Sequence, residues 1–281
     1  MRFRVSHRSR YSYGEAVFLE PHTLRLTPRG GGGQRLVSFS LRVDPRPTGL
    51  SEFLDAEGNT AHQAWWLDKT RELVVDASFE VETLRIDPFD FLLDDPSLAT
   101  LPMSYPQDVQ PLLAPYRKCR EPNGAAGAFA NAVALKADWQ TVPFLSGLNS
   151  EIYAHLDHEA REVGDPLTAE MTLAGRRGAC RDSAIVFIEG CRAMGLAARF
   201  VSGYELISTR EERTDMHAWA EVYLPGGGWR GFDPSRGLAA GETHIAVAVG
   251  LTPRQAAPIL GAFRGPAIES SLEFDIAVEP M

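Results

Sequence analysis

Val37, Phe39, Leu41 and Val43 alternate with polar neighbours, and Leu73, Val75, Ala77, Phe79 and Val81 do the same. A period of two places alternate side chains on opposite faces of a strand. The opening run Met1–His7 keeps the same rhythm. Residues 1–86 therefore predict an antiparallel, β-sandwich-like domain. Gly30–Gly33 would be a hairpin tip, Asp55–Asn59 a turn, and Trp65–Trp66 core and edge packing. The rhythm then breaks. Residues 87–145 are cut by Pro88, Pro102, Pro106, Pro111 and Pro115 and predict loops and short helices, with one longer helix over Ala125–Asp138.

From residue 146 to 281 helical and strand periods mix. Leu148 to about Val163 and Thr168–Leu173 predict helices. Phe187, Ile188, Cys191 and Met194 recur at helical spacing after Ala184, and Gly195 closes that run. Strands follow over Ala197–Tyr204, Thr214–Leu224, Trp229–Ser235 and His244–Gly250. Ser271–Val278 predicts a closing strand. Helices against antiparallel strands define an α+β core.

Composition narrows the function. The net charge of −9 across 281 residues argues against a nucleic-acid partner or an anionic membrane surface. Three cysteines cannot all pair, and their spacing fits no zinc motif. With no apolar signal core at the N-terminus, a reducing, cytoplasmic setting is the expectation. No cofactor motif is present, because no Lys-Ser/Thr pair or helix pattern follows the glycine run. Oligomeric state is not legible.

Candidate chemistry gathers downstream. Cys180 sits where a small-residue turn meets a helical run, at a helix N-terminus that favours negative charge. Arg177 and Arg181 push the same way and Asp182 against. Cys119, between Lys118 and Arg120, is the rival thiol, whereas Cys191 occupies an apolar helix position. His155 and His158, at i and i+3, would share a helix face and permit a metal site; a solvated face is the simpler reading. His217 on one strand and Asp233 on the next complete the parts of a thiol–imidazole–carboxylate triad. Parity limits that reading. With a four-residue loop Pro225–Gly228, Asp233 would fall opposite Ala220, on the wrong face for His217. An odd loop or a bulge is therefore expected, and three glycines make it inexpensive.

The blocks GACRDSA and DMHAWAEVYLPGGGWRGFDPS closely resemble the core of the transglutaminase-like superfamily, in its bacterial cysteine-peptidase-like branch. Tyr11-Ser12-Tyr13, Leu24–Arg29 and Asp55–Asn59 resemble the β-rich domain that precedes this core in many bacterial members. The resemblance implies a papain-like fold, a nucleophile helix packed on an antiparallel sheet, with Cys180, His217 and Asp233 as the triad. It implies a peptide or protein substrate attacked at an amide or isopeptide bond. Three functional classes follow: a thiol hydrolase, which is ranked first, an amine-accepting acyl transferase, and a binding scaffold. Trp219 and Tyr204 are the expected substrate-binding residues. The Cys180 N–H is the first oxyanion donor, with Gln140 or Asn149 as a second. The segment Leu251–Pro258 departs from the charged-aromatic block usual in the family near the active-site surface.

Overall fold

The computed structural model describes residues 1–161, 164–206, 215–265 and 268–281. Val163 and Thr214, at the ends of two expected elements, lie outside them. Six strands come first: β1 (Arg2–Leu19), β2 (His22–Leu24), β3 (Gln34–Asp44), β4 (Gly49–Leu54), β5 (Thr60–Trp65) and β6 (Lys69–Thr83). Next come α1 (Gln110–Leu113), α2 (Ala125–Lys136), α3 (Thr141–His155), β7 (Asp157–His158), α4 (Ala169–Gly175), β8 (Arg177–Gly178) and α5 (Cys180–Ala193). The chain continues with β9 (Ala198–Glu205), β10 (His217–Leu224), β11 (Gly228–Asp233), β12 (Leu238–Ala239) and β13 (His244–Gly250). It ends with β14 (Ile259–Leu260), β15 (Phe263–Arg264) and β16 (Ser270–Pro280).

Three antiparallel sheets result. The first has β1 between β6 and β16, with β3 beyond β6 and β15 on the far part of β1. The second, β14-β2-β5-β4, completes the N-terminal β region, and the third runs β12-β11-β10-β9-β13. The closing strand expected within residues 146–281 thus pairs with β1, residue for residue from Phe3↔Pro280 to Tyr13↔Ser270. β14 and β15 also join the N-terminal sheets. The expected linker, 87–145, gives α2 to the core around α5, where Ala126, Ala130 and Val133 are buried.

Alternation in β1 separates two environments. Phe3, Val5, His7 and Ser9 are buried, while the intervening Arg2, Arg4, Arg8 and Arg10 face outward. Those arginines pair across the strand with Glu80, Asp76 and Glu72 of β6. Each exposed pair is worth little, up to about 1 kcal/mol. Inside, Phe3, Val5, Phe79 and Val81 pack on Tyr204, Ile245 and Val247, which locks the N-terminal sheet onto the third sheet. The other face of the third sheet packs on α5, with Phe187 stacked on Phe232 at 5.3 Å. α5 is held closely by α2 and α3 because position 190 is glycine. A Cβ there would lie 3.3 Å from both Ala130 Cβ and Leu148 Cδ2.

His7 sits in the interface between the sheets. Its Nδ1 lies 2.7 Å from the Tyr204 hydroxyl and its Nε2 2.8 Å from Ser9 Oγ. Burial lowers its pKa to about 4. The folded state therefore resists a proton that the unfolded chain accepts near pH 6.5. The stability this neutral histidine represents is present above pH 6.5 and lost as pH falls toward 4, by about 3 kcal/mol. Urea titrations across that window should show His7→Gln losing less stability on acidification than the wild type. Equal slopes would exclude His7 as the source.

Candidate active site

Cys180 is the first residue of α5, and Ala179 precedes it in extended conformation (ψ 172°). Such a helix start leaves N–H groups without intrahelical acceptors, and the Cys180 N–H is the first of them. The turn is pinned by Asp182, whose side chain is fully buried. Its Oδ2 accepts from the Ala179 N–H at 2.9 Å, and its Oδ1 from the Leu167 N–H at 2.8 Å. Arg161 Nη2 donates to both oxygens, at 2.5 and 2.7 Å. Gly178 is required beside it, because a Cβ there would lie 2.9 Å from Asp182 Cβ. Asp182, read from the sequence only as an opposing charge, is the clamp of the helix start.

The hairpin β10–β11 supplies the histidine and the carboxylate. Leu224 pairs with Gly228 and Ala220 with Phe232, so the loop is the three residues Pro225, Gly226 and Gly227. Gly226 and Gly228 take φ of +85° and +68°. The odd loop places Asp233 on the His217 face, diagonal to it, as parity demanded. His217 Nε2–H donates to Asp233 Oδ2 at 2.5 Å. Cys180 also acts on His217, and with Nε2 held by Asp233 the ring atom left for the thiol is Nδ1. Burial would lower the His217 pKa, but the charge and hydrogen bond of Asp233, with Cys180, raise it well above the usual range. Burial would likewise raise Asp233. The positive charge and hydrogen bond of His217, and the hydrogen bond of His244, hold it far below the ordinary carboxylate value.

Two further residues escaped the sequence reading. His244, the first residue of β13, brings its Nε2 to 3.1 Å from Asp233 Oδ2. Glu205, at the end of β9, has Oε2 3.7 Å from His217 Nε2 and accepts from Arg236 Nε at 2.9 Å. The opposite oxygen of Asp233 accepts from the Ser235 N–H and hydroxyl, at 3.0 and 2.7 Å. Asp233 is thus a fully buried carboxylate with four donors. The signal for His244 was a histidine opening an apolar strand, where only a satisfied imidazole can be buried.

Other sequence expectations are corrected. Trp219 and Tyr204 are buried and do not line the cleft described below. Trp219 lies across its neighbouring strands over Gly203 and Gly231, and His244 meets it edge-on at 5.2 Å. A Cβ on Gly203 would lie 2.6 Å from the indole. Tyr204 is buried because β9 is central and covered on both faces. α3 ends at His155, and the next residues pair with β8, so His155 and His158 share no helix face. Cys119 has its pKa raised, by burial first and by Glu189, whose Oε2 lies 3.8 Å from the sulfur. Cys191 is fully buried and shifted the same way. Asn149 donates to Leu238 O, and Gln140 occupies the N-cap position of α3 without a side-chain cap; neither lines the cleft.

A cleft of about 610 Å³ opens at Cys180 and His217. Arg161, Arg181 and Arg236 line it on the side of α5 and the catalytic sheet, and Tyr11, Leu272 and Phe274 of β1 and β16 supply the other wall. Pro258, at the end of the segment that departs from the family, also reaches it. Among the described residues, His217, Asp233 and His244 also form a group whose spacing could suit a metal ion. The hydrogen bonds from both rings to one carboxylate oxygen account for that grouping.

A cysteine at a helix start, facing a histidine–aspartate pair on an antiparallel sheet, is the arrangement of a papain-like core. The core of the chain belongs to the transglutaminase-like superfamily. Residues 119–234 match the model of that superfamily, and residues 3–82 match the bacterial transglutaminase-like N-terminal region. This membership supports a cysteine-dependent enzyme. An uncharacterized protein of Mycobacterium tuberculosis is 27% identical over 293 residues, covering 99% of this chain and 93% of that protein. One of Mycobacterium leprae is 26% identical over 297 residues, covering 99% and 98%. The crystal structure of a "Putative Cysteine Protease from Cytophaga hutchinsonii" superposes with a TM-score of 0.73 at 21% identity, over 100% of this chain and 91% of that one. It shares the fold.

Proposed function

We propose that the protein is a thiol hydrolase of peptide or isopeptide amides, with Cys180 as nucleophile. The observation that carries this reading is Cys180 at the start of α5 sharing one cleft with His217, which is hydrogen-bonded to Asp233. In the first step the thiol proton passes to His217 Nδ1 as Sγ adds to the amide carbonyl carbon. The Cys180 N–H, at the start of α5, meets the oxygen that becomes negative. His217 then gives the proton to the leaving nitrogen, the C–N bond breaks, and an acyl-thioester and a free amine result. Water loses a proton to His217 and adds to the thioester; the carboxylic acid leaves and the thiol is restored. Asp233 keeps the Nε2 proton in place throughout and stabilises the imidazolium. His244 and Ser235 keep Asp233 in place.

Iodoacetamide at neutral pH, followed by peptide mass spectrometry, tests the nucleophile. Cys180 should label at least tenfold faster than Cys119 or Cys191, and His217→Ala should remove that advantage. Equal labelling of Cys119 and Cys180 would overturn the assignment. A peptide anilide turned over with a fluorescent primary amine in the buffer then separates the acyl acceptors. The hydrolase reading requires the carboxylic acid as main product; capture of most acyl groups by the amine would make the protein a transferase.

A further inference from the structure

The wall facing Cys180 comes from outside the catalytic sheet and is built with a regular pattern. Leu272, Phe274 and Ile276 are alternate residues of β16, so their side chains share one face. Their partners on β1 are Tyr11, Ser9 and His7. All six line the same cleft as Cys180 and His217. Deeper in, Ile276 is 8% exposed and joins the interface core with Phe3 and Val5. Toward the cleft the strip emerges: Phe274 is half-buried, and Leu272 is 43% exposed. An apolar strand face that leaves the core and runs into the cleft holding the thiol is continuous with the site itself.

Several polar groups around the strip already hold partners. His7 is bonded to Tyr204 and Ser9, Arg161 to Asp182, and Arg236 Nε to Glu205. Burial raises the Tyr11 hydroxyl to about 12, so it stays a neutral phenol. A charged side chain laid on Leu272 and Phe274 would lose water against an apolar surface. An apolar one would bury its own surface and that of Leu272 and Phe274.

We propose that Leu272, Phe274 and Tyr11 form the recognition pocket for an apolar side chain of the acyl donor, on the residue that supplies the carbonyl attacked at Cys180. The inference rests on the hydrolase reading for the identity of the donor, but the pocket can be tested without turnover. The β region is then a specificity element as well as a support, and the preferred peptides carry leucine, methionine or phenylalanine beside the reactive amide.

The probes are two fluorescent hexapeptides, identical except for Leu or Glu at the position before the central amide. Anisotropy with the full-length Cys180→Ala protein reads binding alone. The Leu peptide should bind about tenfold or more tightly, the scale set by burying one aliphatic side chain. Leu272→Lys in the same background should erase or invert that preference. Iodoacetamide labelling of Leu272→Lys with Cys180 intact reports whether the helix start is still formed. Equal binding of the two peptides, binding of neither, or a preference unmoved by Leu272→Lys would overturn the pocket. Selective binding together with an unreactive Cys180 would leave the pocket standing and sink the hydrolase reading.

Discussion

Asp233→Asn will leave the fold intact and lower turnover on an amide substrate by roughly 10³- to 10⁴-fold. The argument is one of donors and acceptors. Ser235 bonds to Oδ1, so that oxygen keeps its place in the amide. The new NH₂ group then occupies the Oδ2 position and points donors at His217 and His244. His217 can meet it only by presenting a bare Nε2, which moves its proton to Nδ1, the atom left for the thiol. A protonated Nδ1 cannot accept the cysteine proton. Iodoacetamide labelling of Cys180 should slow in parallel, while the melting curve stays cooperative. Full activity in Asp233→Asn would remove Asp233 from the mechanism. Glu205, whose Oε2 is 3.7 Å from His217, would be the next carboxylate to examine.

The second large effect is on stability. Asp182→Ala will cost about 3 kcal/mol of unfolding free energy, the low end for breaking a buried pair. The low end applies because Arg161 is 23% exposed and can recover some hydration. Two backbone N–H groups, of Ala179 and Leu167, lose their acceptor in the same change. Because both fix the start of α5, Cys180 reactivity should fall with stability. Urea unfolding and alkylation rates measured on one preparation read both effects. A loss below about 1 kcal/mol would show that packing of α5 against α2 and α3 holds the helix start unaided.

Local periodicity made the elements legible. The strands of the β region, α5 and the hairpin carrying His217 and Asp233 all follow from spacing. Parity excluded a regular even loop and left an odd loop or a bulge; the structure has the odd loop Pro225–Gly227. What periodicity does not carry is partner choice. β16 alternates as any half-exposed strand does, and nothing in Ser271–Val278 names β1 as its neighbour. β9 is buried at all eight positions, so alternation could not show that Tyr204 faces a core. His244 and Glu205 reach the site from strands brought together only by the third sheet. Arg161 finds Asp182 across α4 and β8. These contacts join residues far apart in sequence and are decided by packing, which a local window does not contain.

The pairing of β16 with β1 also sets an order of events. β1 and β6 can form their hairpin-like pair once residue 83 has been made, and the thiol with its helix follows much later. The wall opposite that thiol is supplied by residues 270–280, which must return across almost the whole chain to close on the first strand. Contacts of such long sequence separation form slowly, because loop closure must precede any gain from the pairing. The nucleophile is therefore synthesised well before its cleft can exist. Assembly of the recognition wall is the late, slow step that completes the site.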